Sequence, residues 1–178
     1  MKKIILSTVL TFGLVTSLWV SAEPTNPEQR IKKAGFVLPA PVNPIGNYVT
    51  WRRSGNKLYL SGHGACGGKN VIGKLGDKLS VEEGYKAAEQ VGLCALSTIK
   101  LAVGDLSKVK QVLRITGMVN ATPAFIDHSK VVNGFSDLFV TAFGEAGKSA
   151  RIAVGMSGLP NDMSVEVSAI IELKEVDK

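Results

Sequence analysis

The stretch SVEEGYKAAEQVGLCALSTIKLAVG, residues 80–104, decides the fold because it encodes a long amphipathic helix with clear ends. Ser80 and Glu83 form a capping box, in which each side chain satisfies a free backbone amide at the helix start. Gly104 is a helix stop. Small or apolar residues every three or four positions predict one buried face, at positions 81, 85, 88, 92, 95, 99 and 102. That face needs a second layer, and Gly92 within it indicates close approach to a sheet.

The sequence on both sides of this helix supplies the second layer. A second amphipathic helix is predicted at about 128–146, and strands are predicted at 48–53, 57–62, 109–119, 150–156 and 163–173. Ser54-Gly55-Asn56 joins the first two strands into a hairpin, and the turn around 158–162 predicts a second hairpin from the last two. Glycines between 62 and 76 predict a long mobile loop. This order predicts one α+β domain, a mixed β-sheet with two helices packed on one face.

Composition places the chain among ordinary globular proteins. It has 178 residues, of which 45% are hydrophobic and 20% are charged, which excludes a disordered chain and a collagen-like fibre. The sequence contains no C-x-x-C pair, His cluster, P-loop, G-x-G-x-x-G or G-x-S-x-G motif. We therefore expect no metal site and no cofactor.

The N-terminal segment reads as a secretory signal peptide over residues 1–22. Lys2 and Lys3 precede an uncharged apolar run, and Val20-Ser21-Ala22 is a small-residue cleavage site. A retained membrane anchor is the alternative, but the apolar run is short for a span. Residues 23–35 are predicted to be a loose lead-in to a domain at 36–178. The mature chain is expected to be secreted or periplasmic and free of the membrane.

Charge gives little support for a nucleic-acid partner. Cleavage would remove Lys2 and Lys3 and lower the formal net charge from +6 to +4. A charge this small is weak evidence for a polyanionic ligand, so we expect no nucleic acid to bind.

Cys66 and Cys94 are the two cysteines of the chain. In an oxidising compartment they can form a disulfide, which would add about 3–4 kcal/mol of stability in the chain-entropy model. Cys94 also falls in an apolar helical stretch, where a buried free thiol is equally natural. Both states remain open from the sequence.

Arg151 is the most informative polar residue. It lies in Ala150-Arg151-Ile152-Ala153-Val154-Gly155-Met156, a strand that is otherwise uncharged. Alternation puts Arg151 on one face with small Ala153 and Gly155, which leaves room beside the guanidinium. A buried arginine is costly without a partner, so it must meet a carboxylate from the protein or from a ligand.

Glu166 is the natural partner if the last two strands form a hairpin, since positions 151 and 166 would then face each other. The simple interpretation is a structural cross-strand ion pair. The alternative is an anion-binding arginine with a carboxylate beside it that handles a water molecule. His63, in Ser61-Gly62-His63-Gly64, and Tyr48 are further candidates, although each could equally be structural.

Taken together, these motifs resemble the Rid family of reactive imine deaminases, also called YjgF-like. The resemblance covers about residues 36–175, and its matching stretches are Ile45-Gly46-Asn47-Tyr48, residues 58–64, Val131-Val132-Asn133-Gly134, Ala150-Arg151, Leu159-Pro160 and Val165-Glu166-Val167. It implies a chorismate-mutase-like fold and a homotrimer with ligand pockets between subunits. The sheet face opposite the helices would then line the centre of the trimer.

The resemblance also implies a chemistry, the hydrolysis of 2-imino acids to 2-keto acids and ammonia without a cofactor. Arg151 would clasp the substrate carboxylate, and Glu166 would orient or activate the attacking water. The small 2-imino or 2-keto acid would be bound by a set of pocket residues, Tyr48, Ser61, Gly62, His63, Asn133 and Ala153. The alternative is a module of the same fold that binds or senses small carboxylates without turnover.

Overall fold

The computed structural model describes residues 26–175, so the predicted signal peptide at 1–22 lies outside the described residues. The strands are β1 (Trp51–Ser54), β2 (Lys57–Leu60), β3 (Val109–Asn120), β4 (Ala150–Met156) and β5 (Val165–Leu173). The helices are α1 (Pro27–Lys33), α2 (Val81–Val103) and α3 (His128–Phe143). Short 3-10 turns lie at Leu106–Lys108, Gly144–Gly147 and Pro160–Asp162. Within residues 26–175, no helix combines the length and apolar character that crossing a bilayer requires.

The capping box of α2 is confirmed. Glu83 N donates to Ser80 Oγ at 3.2 Å, and Ser80 N donates to Glu83 Oε2 at 2.8 Å. The expected approach of Gly92 to the sheet is wrong, because a Cβ at this position would press against Leu138 of α3. Gly134 of α3 likewise leaves no room for a Cβ against the carbonyl of Tyr85. The glycines of the two long helices therefore let α2 and α3 pack closely against each other.

The sheet is mixed, with strand order β1-β2-β5-β3-β4. β3 and β4 are parallel and are connected through α3, while β5 is antiparallel to both β2 and β3. The predicted hairpin of β4 and β5 is therefore wrong. A central position suits β5, because its residues alternate between buried and half-buried along its whole length. β4 is left at the edge of the sheet, and most of its residues are exposed.

The helices cover one face of this sheet, as predicted. Ile115 and Val119 of β3 are completely buried beneath them, together with Phe135 and Phe139 of α3. The two phenylalanine rings stack with their centroids 4.3 Å apart. The core therefore lies between one sheet face and the α2–α3 pair, an α+β architecture of two layers.

The lead-in at 23–35 contains a helix that the sequence analysis missed. α1 begins after Asn26, whose side-chain oxygen accepts from Glu28 N at 2.8 Å. Ile31 is 2% exposed, and the helix packs beside α3. The proline-rich, charged composition suggested a loose segment, but an asparagine cap and one buried isoleucine are enough to fold this short helix onto the domain.

The loop between β2 and α2 is fastened at several points. Cys66 and Cys94 form a disulfide with their Cα atoms 6.0 Å apart, which ties the loop to the middle of α2. Isolated bridges join Ile72 to Met163 and Leu75 to Ala121. Of the two states that the sequence left open for the cysteines, the structure has the disulfide.

We predict that this disulfide contributes strongly to stability. Replacing both cysteines by alanine should lower the free energy of unfolding by about 3–4 kcal/mol, because the cross-link closes a loop of 28 residues in the unfolded chain. Urea denaturation followed by circular dichroism measures the difference. A reductant should destabilise the wild type and leave the double variant unchanged. Equal midpoints for wild type and variant would contradict the prediction.

Candidate functional site

A cavity of about 650 Å³ opens where β2 ends and β5 begins. Five residues that the sequence singled out line it, namely Tyr48, Ser61, Gly62, His63 and Glu166. These five residues come from three parts of the chain, namely the segment before β1, the end of β2 and the start of β5. Tertiary folding therefore brings most of the predicted pocket residues together.

The Glu166 carboxylate lies directly over Gly62. A Cβ on Gly62 would overlap the carboxylate, so the absence of a side chain at this position makes room for it. Glu166 is half-buried, and burial raises the pKa of its carboxyl above the usual value for glutamate. Within residues 26–175 this carboxylate makes no hydrogen bond or ion pair, and it is therefore available to a ligand or to water.

Both nitrogens of the His63 ring bond to the protein itself rather than facing the Glu166 carboxylate. It is 2% exposed, with Nδ1 2.8 Å from the Ser61 carbonyl oxygen and Nε2 2.9 Å from Thr98 Oγ1. Because a carbonyl can only accept, Nδ1 carries the proton and Nε2 accepts from the threonine hydroxyl. Burial lowers the pKa of His63. The structure thus uses a neutral imidazole to fasten the end of β2 to α2.

Ser61 and Tyr48 shape the mouth of the cavity. Ser61 Oγ donates to the Val49 carbonyl at 2.6 Å and holds the preceding segment against β2. Tyr48 is 47% exposed, and its hydroxyl accepts a long hydrogen bond of 3.5 Å from Ile45 N. The phenol is thus only weakly held and can contact a ligand at the entrance.

Arg151 belongs to a second cluster, between the edge strand β4 and α3. Its Nη1 donates to Asn133 Oδ1 at 2.8 Å and to Ser136 Oγ at 3.0 Å, and its Nη2 donates to the Ser129 carbonyl at 3.4 Å. All three acceptors are neutral. No carboxylate lies within ion-pair distance of this guanidinium in the part of the chain that the structure describes. Asn133, which the resemblance implies as a pocket residue, is thus a direct hydrogen-bond partner of Arg151.

Ser129 and Ser136 were not anticipated as partners of Arg151. With Asn133 they are spaced by four and three positions, so they lie on one face of α3. That spacing was visible in the sequence, but only the parallel packing of β4 beside β3 shows that Arg151 faces it.

Ala153 and Gly155 share a sheet face with Arg151, as the alternation predicts. Ala153 packs against the core, and a Cβ at Gly155 would collide with the imidazole of His128. The expected room beside the guanidinium is therefore partly filled by His128 at the start of α3.

In one chain, Arg151 and Glu166 lie on opposite faces of the sheet. Arg151 pairs with Ile115, which is buried beneath the helices, whereas Glu166 pairs with Met118, which points to the other face. The expectation that the two residues face each other across a hairpin is wrong, because β3 separates their strands. A single copy of the chain therefore keeps the two groups apart, with the carboxylate at the cavity and the arginine at the sheet edge.

No cluster of three or more histidine, cysteine, aspartate or glutamate side chains suited to a metal occurs among residues 26–175. Sequence reasoning did miss some residues of the cavity wall, namely Asn161, Met163 and Ser164. They lie at the turn before β5, and no local pattern marks them as pocket residues.

Comparisons with known proteins agree with this architecture. A curated relative, Protein TCP17 of Trypanosoma cruzi, is 41% identical over 150 residues, which cover 80% of this chain and 91% of the relative. The solved structure of Atu1372 from Agrobacterium tumefaciens, described as a protein of unknown function, is 42% identical with a TM-score of 0.77. That match covers 83% of this chain and 94% of the other.

A second solved structure, described as a putative endoribonuclease from Shewanella oneidensis MR-1, is 35% identical with a TM-score of 0.80, covering 83% of this chain and 99% of the other. Residues 28–173 match the model of the family described as YjgF/chorismate mutase-like, putative endoribonuclease. The match spans Arg151, Glu166 and all five strands. The chain therefore belongs to the YjgF/chorismate mutase-like family, which is the Rid family that its sequence motifs resemble.

Proposed function

We propose that the protein hydrolyses reactive 2-imino acids to 2-keto acids and ammonia. In this reaction water adds to C2 of the protonated imine, and the C–N bond of the resulting carbinolamine then breaks. The oxygen of water becomes the keto oxygen, and nitrogen leaves as ammonium. Neither oxidation nor a cofactor is required.

The unneutralised guanidinium of Arg151 is the observation that carries this proposal. Asn133, Ser136 and Ser129 hold it in place through neutral acceptors, so its positive charge is oriented but not compensated. A guanidinium has five N–H donors, and these contacts use three of them. The remaining donors suit the two oxygens of a carboxylate, which favours a small organic acid as ligand.

Glu166 supplies the complementary chemistry. Its half-buried carboxylate over Gly62 has no protein partner among the described residues, and its raised pKa strengthens it as a base. It would take a proton from the attacking water and return a proton to the departing nitrogen. Glu166 is also the one charged side chain among the described residues that line the cavity. RNA carries a dense row of phosphates that this carboxylate would repel, whereas a small acid has a single anionic group that Arg151 can bind.

A complete site on this scheme needs two copies of the chain, because Arg151 and Glu166 lie on opposite faces of one sheet. The open face presents Ile152, Val154 and Met156, each between 37% and 41% exposed. Neighbouring apolar residues of this kind favour burial against another protein surface. We propose a homotrimer in which Arg151 of the partner subunit completes the cavity that holds Glu166.

Export is part of the same proposal. The Cys66–Cys94 bond is of the kind that persists in oxidising compartments, and it supports a secreted or periplasmic location. The imine would then arise outside the cytoplasm, either by oxidation of an amino acid or by β-elimination from one.

Arg151 should be essential for turnover. Arg151→Ala should lower kcat/KM for 2-iminopropionate by about 100-fold or more, because a desolvated charge-assisted contact to the substrate is lost. The imine is generated in situ, and its hydrolysis is followed by keto-acid release above the buffer rate. Arg53→Ala is the matched control, since Arg53 is exposed and its one side-chain hydrogen bond within residues 26–175 goes from Nε to the Gly55 carbonyl.

The outcomes of this assay separate the two functions under consideration. If pyruvate raises the melting temperature of the wild type but the imine is not hydrolysed faster than in buffer, the protein is a carboxylate-binding module. If neither effect occurs with folded protein, both functions are wrong.

Glu166 should set the pH dependence. A general base acts in its deprotonated form, so enzymatic kcat/KM should rise with pH through the raised pKa of Glu166 and then level off. Glu166→Gln should lose most activity and with it this rise. The same rise in Glu166→Gln would show that another group is the base.

Gly62 should affect kcat, because its missing side chain leaves the space that the Glu166 carboxylate occupies. Gly62→Ala should displace the Glu166 carboxylate and lower kcat at least tenfold, with little change in melting temperature, because the atoms that move belong to the end of a flexible side chain. Gly158→Ala is the control, since a Cβ there meets nothing within 4 Å. Full activity of Gly62→Ala would contradict the placement of the carboxylate.

A further inference from the structure

The connection from β4 to β5 adopts an unfavourable backbone conformation beside the cavity. Asn161 and Asp162 have φ values of 53° and 54°, and they are the two residues other than glycine with positive φ in the described part of the chain. This left-handed conformation is unfavourable for a residue with a Cβ, and it persists only where surrounding contacts impose it. Pro160, Asn161 and Met163 line the cavity that holds Glu166. The strained turn is therefore part of the cavity wall.

Asn120, the last residue of β3, makes the central contact to this turn. The residue is completely buried, its Nδ2 donates to Asp162 Oδ1 at 3.0 Å, and its Oδ1 accepts from Lys74 Nζ at 2.7 Å. Lys74 Nζ also donates to the Ser157 carbonyl, so the network reaches both ends of the β4–β5 connection. The amide thus joins a cation to an anion, and both of its hydrogen bonds are of the strong, charge-assisted kind.

The backbone of Asn120 holds the start of β5 as well. Asn120 N donates to the Ser164 carbonyl at 2.9 Å, two positions before Glu166. On the other side of Glu166, Val167 exchanges two backbone hydrogen bonds of 2.9 Å with His63. Glu166 lies between these two attachments, so the place that its carboxylate takes in the cavity depends on both of them.

We infer that Asn120 is a positioning residue for the reaction: through Asp162 and Ser164 it fixes the start of β5 and thereby holds the Glu166 carboxylate beside the substrate. This inference rests on the proposed function for the role of Glu166. Asn120 acts without touching the substrate, because it is completely buried. Lys74 orients its amide, since an ammonium group can only donate and therefore holds Oδ1 towards itself and leaves Nδ2 for Asp162.

Two variants remove the contact from its two sides. Asp162→Gly removes the carboxylate that Asn120 holds, and it relieves the strain at this exposed position because glycine accepts a positive φ. Asn120→Ala removes the amide itself. Each should lower kcat for 2-iminopropionate by about fivefold or more, because Glu166 is no longer held in place. The melting temperature should fall in Asn120→Ala, which loses a buried amide, and change little in Asp162→Gly.

Asn56→Ala is the matched control. Asn56 Nδ2 donates to Glu172 Oε1 at 3.1 Å, so this variant removes a similar contact to the same strand at its other end, and its kcat should equal that of the wild type. The calorimetric Kd for pyruvate should stay within about twofold of the wild-type value in all three variants, because Arg151 is untouched. Unchanged kcat in Asp162→Gly or in Asn120→Ala, or an equal loss in Asn56→Ala, would overturn the positioning role.

A titration without substrate keeps this test separate from the proposed function. Carbon-13 NMR of labelled glutamate, with the Glu166 signal assigned from Glu166→Gln, follows the pKa of this carboxyl. Burial raises that pKa in the wild type, so a carboxylate released towards water in Asp162→Gly and Asn120→Ala should titrate at lower pH, whereas Asn56→Ala should match the wild type.

If the pKa falls as expected but the wild type hydrolyses no imine, Asn120 positions Glu166 and the proposed function is wrong. An identical Glu166 pKa in the wild type and all three variants would overturn the inference, whether or not the protein is a deaminase.

Discussion

The insertion of β5 between β2 and β3 is the constraint on which the rest of the structure depends. Its antiparallel pairing on both sides brings the Val165–Glu166 end of the strand beside the end of β2, where Gly62 leaves space for a carboxylate. The same insertion denies β4 a second partner. β4 therefore remains at the edge of the sheet, parallel to β3, and it carries Arg151.

This arrangement leaves two opposite charges, Glu166 and Arg151, without an ion-pair partner among residues 26–175. Glu166 is half-buried at the cavity and Arg151 is held by neutral acceptors on α3, and the sheet separates them. Side by side, the two side chains could form an ion pair and neutralise each other. Because they are kept apart, the guanidinium can still bind an anion and the carboxylate can still accept hydrogen bonds. The proposed pocket between copies of the chain would use both groups.

The wall of the cavity is reinforced by features with no catalytic chemistry. The disulfide anchors the loop that follows β2 to α2, and the His63 imidazole joins the end of β2 to Thr98 on the same helix. Both cross-links hold the glycine-rich segment after β2 against α2. The histidine beside the cavity is therefore explained by its structural contacts.

Local patterns in the sequence were sufficient for the elements themselves. The capping box and the spacing of apolar residues determined α2, and alternation determined which faces of β4 carry Arg151 and the apolar side chains, because these signals act between residues a few positions apart. The sequence left the disulfide open, missed α1 and paired β4 with β5. Those outcomes depend on which distant segments of the chain come into contact. The central position of β5 was decided by the burial of every second side chain along it. That burial stabilises the fold only once the helices and the other strands have assembled around β5.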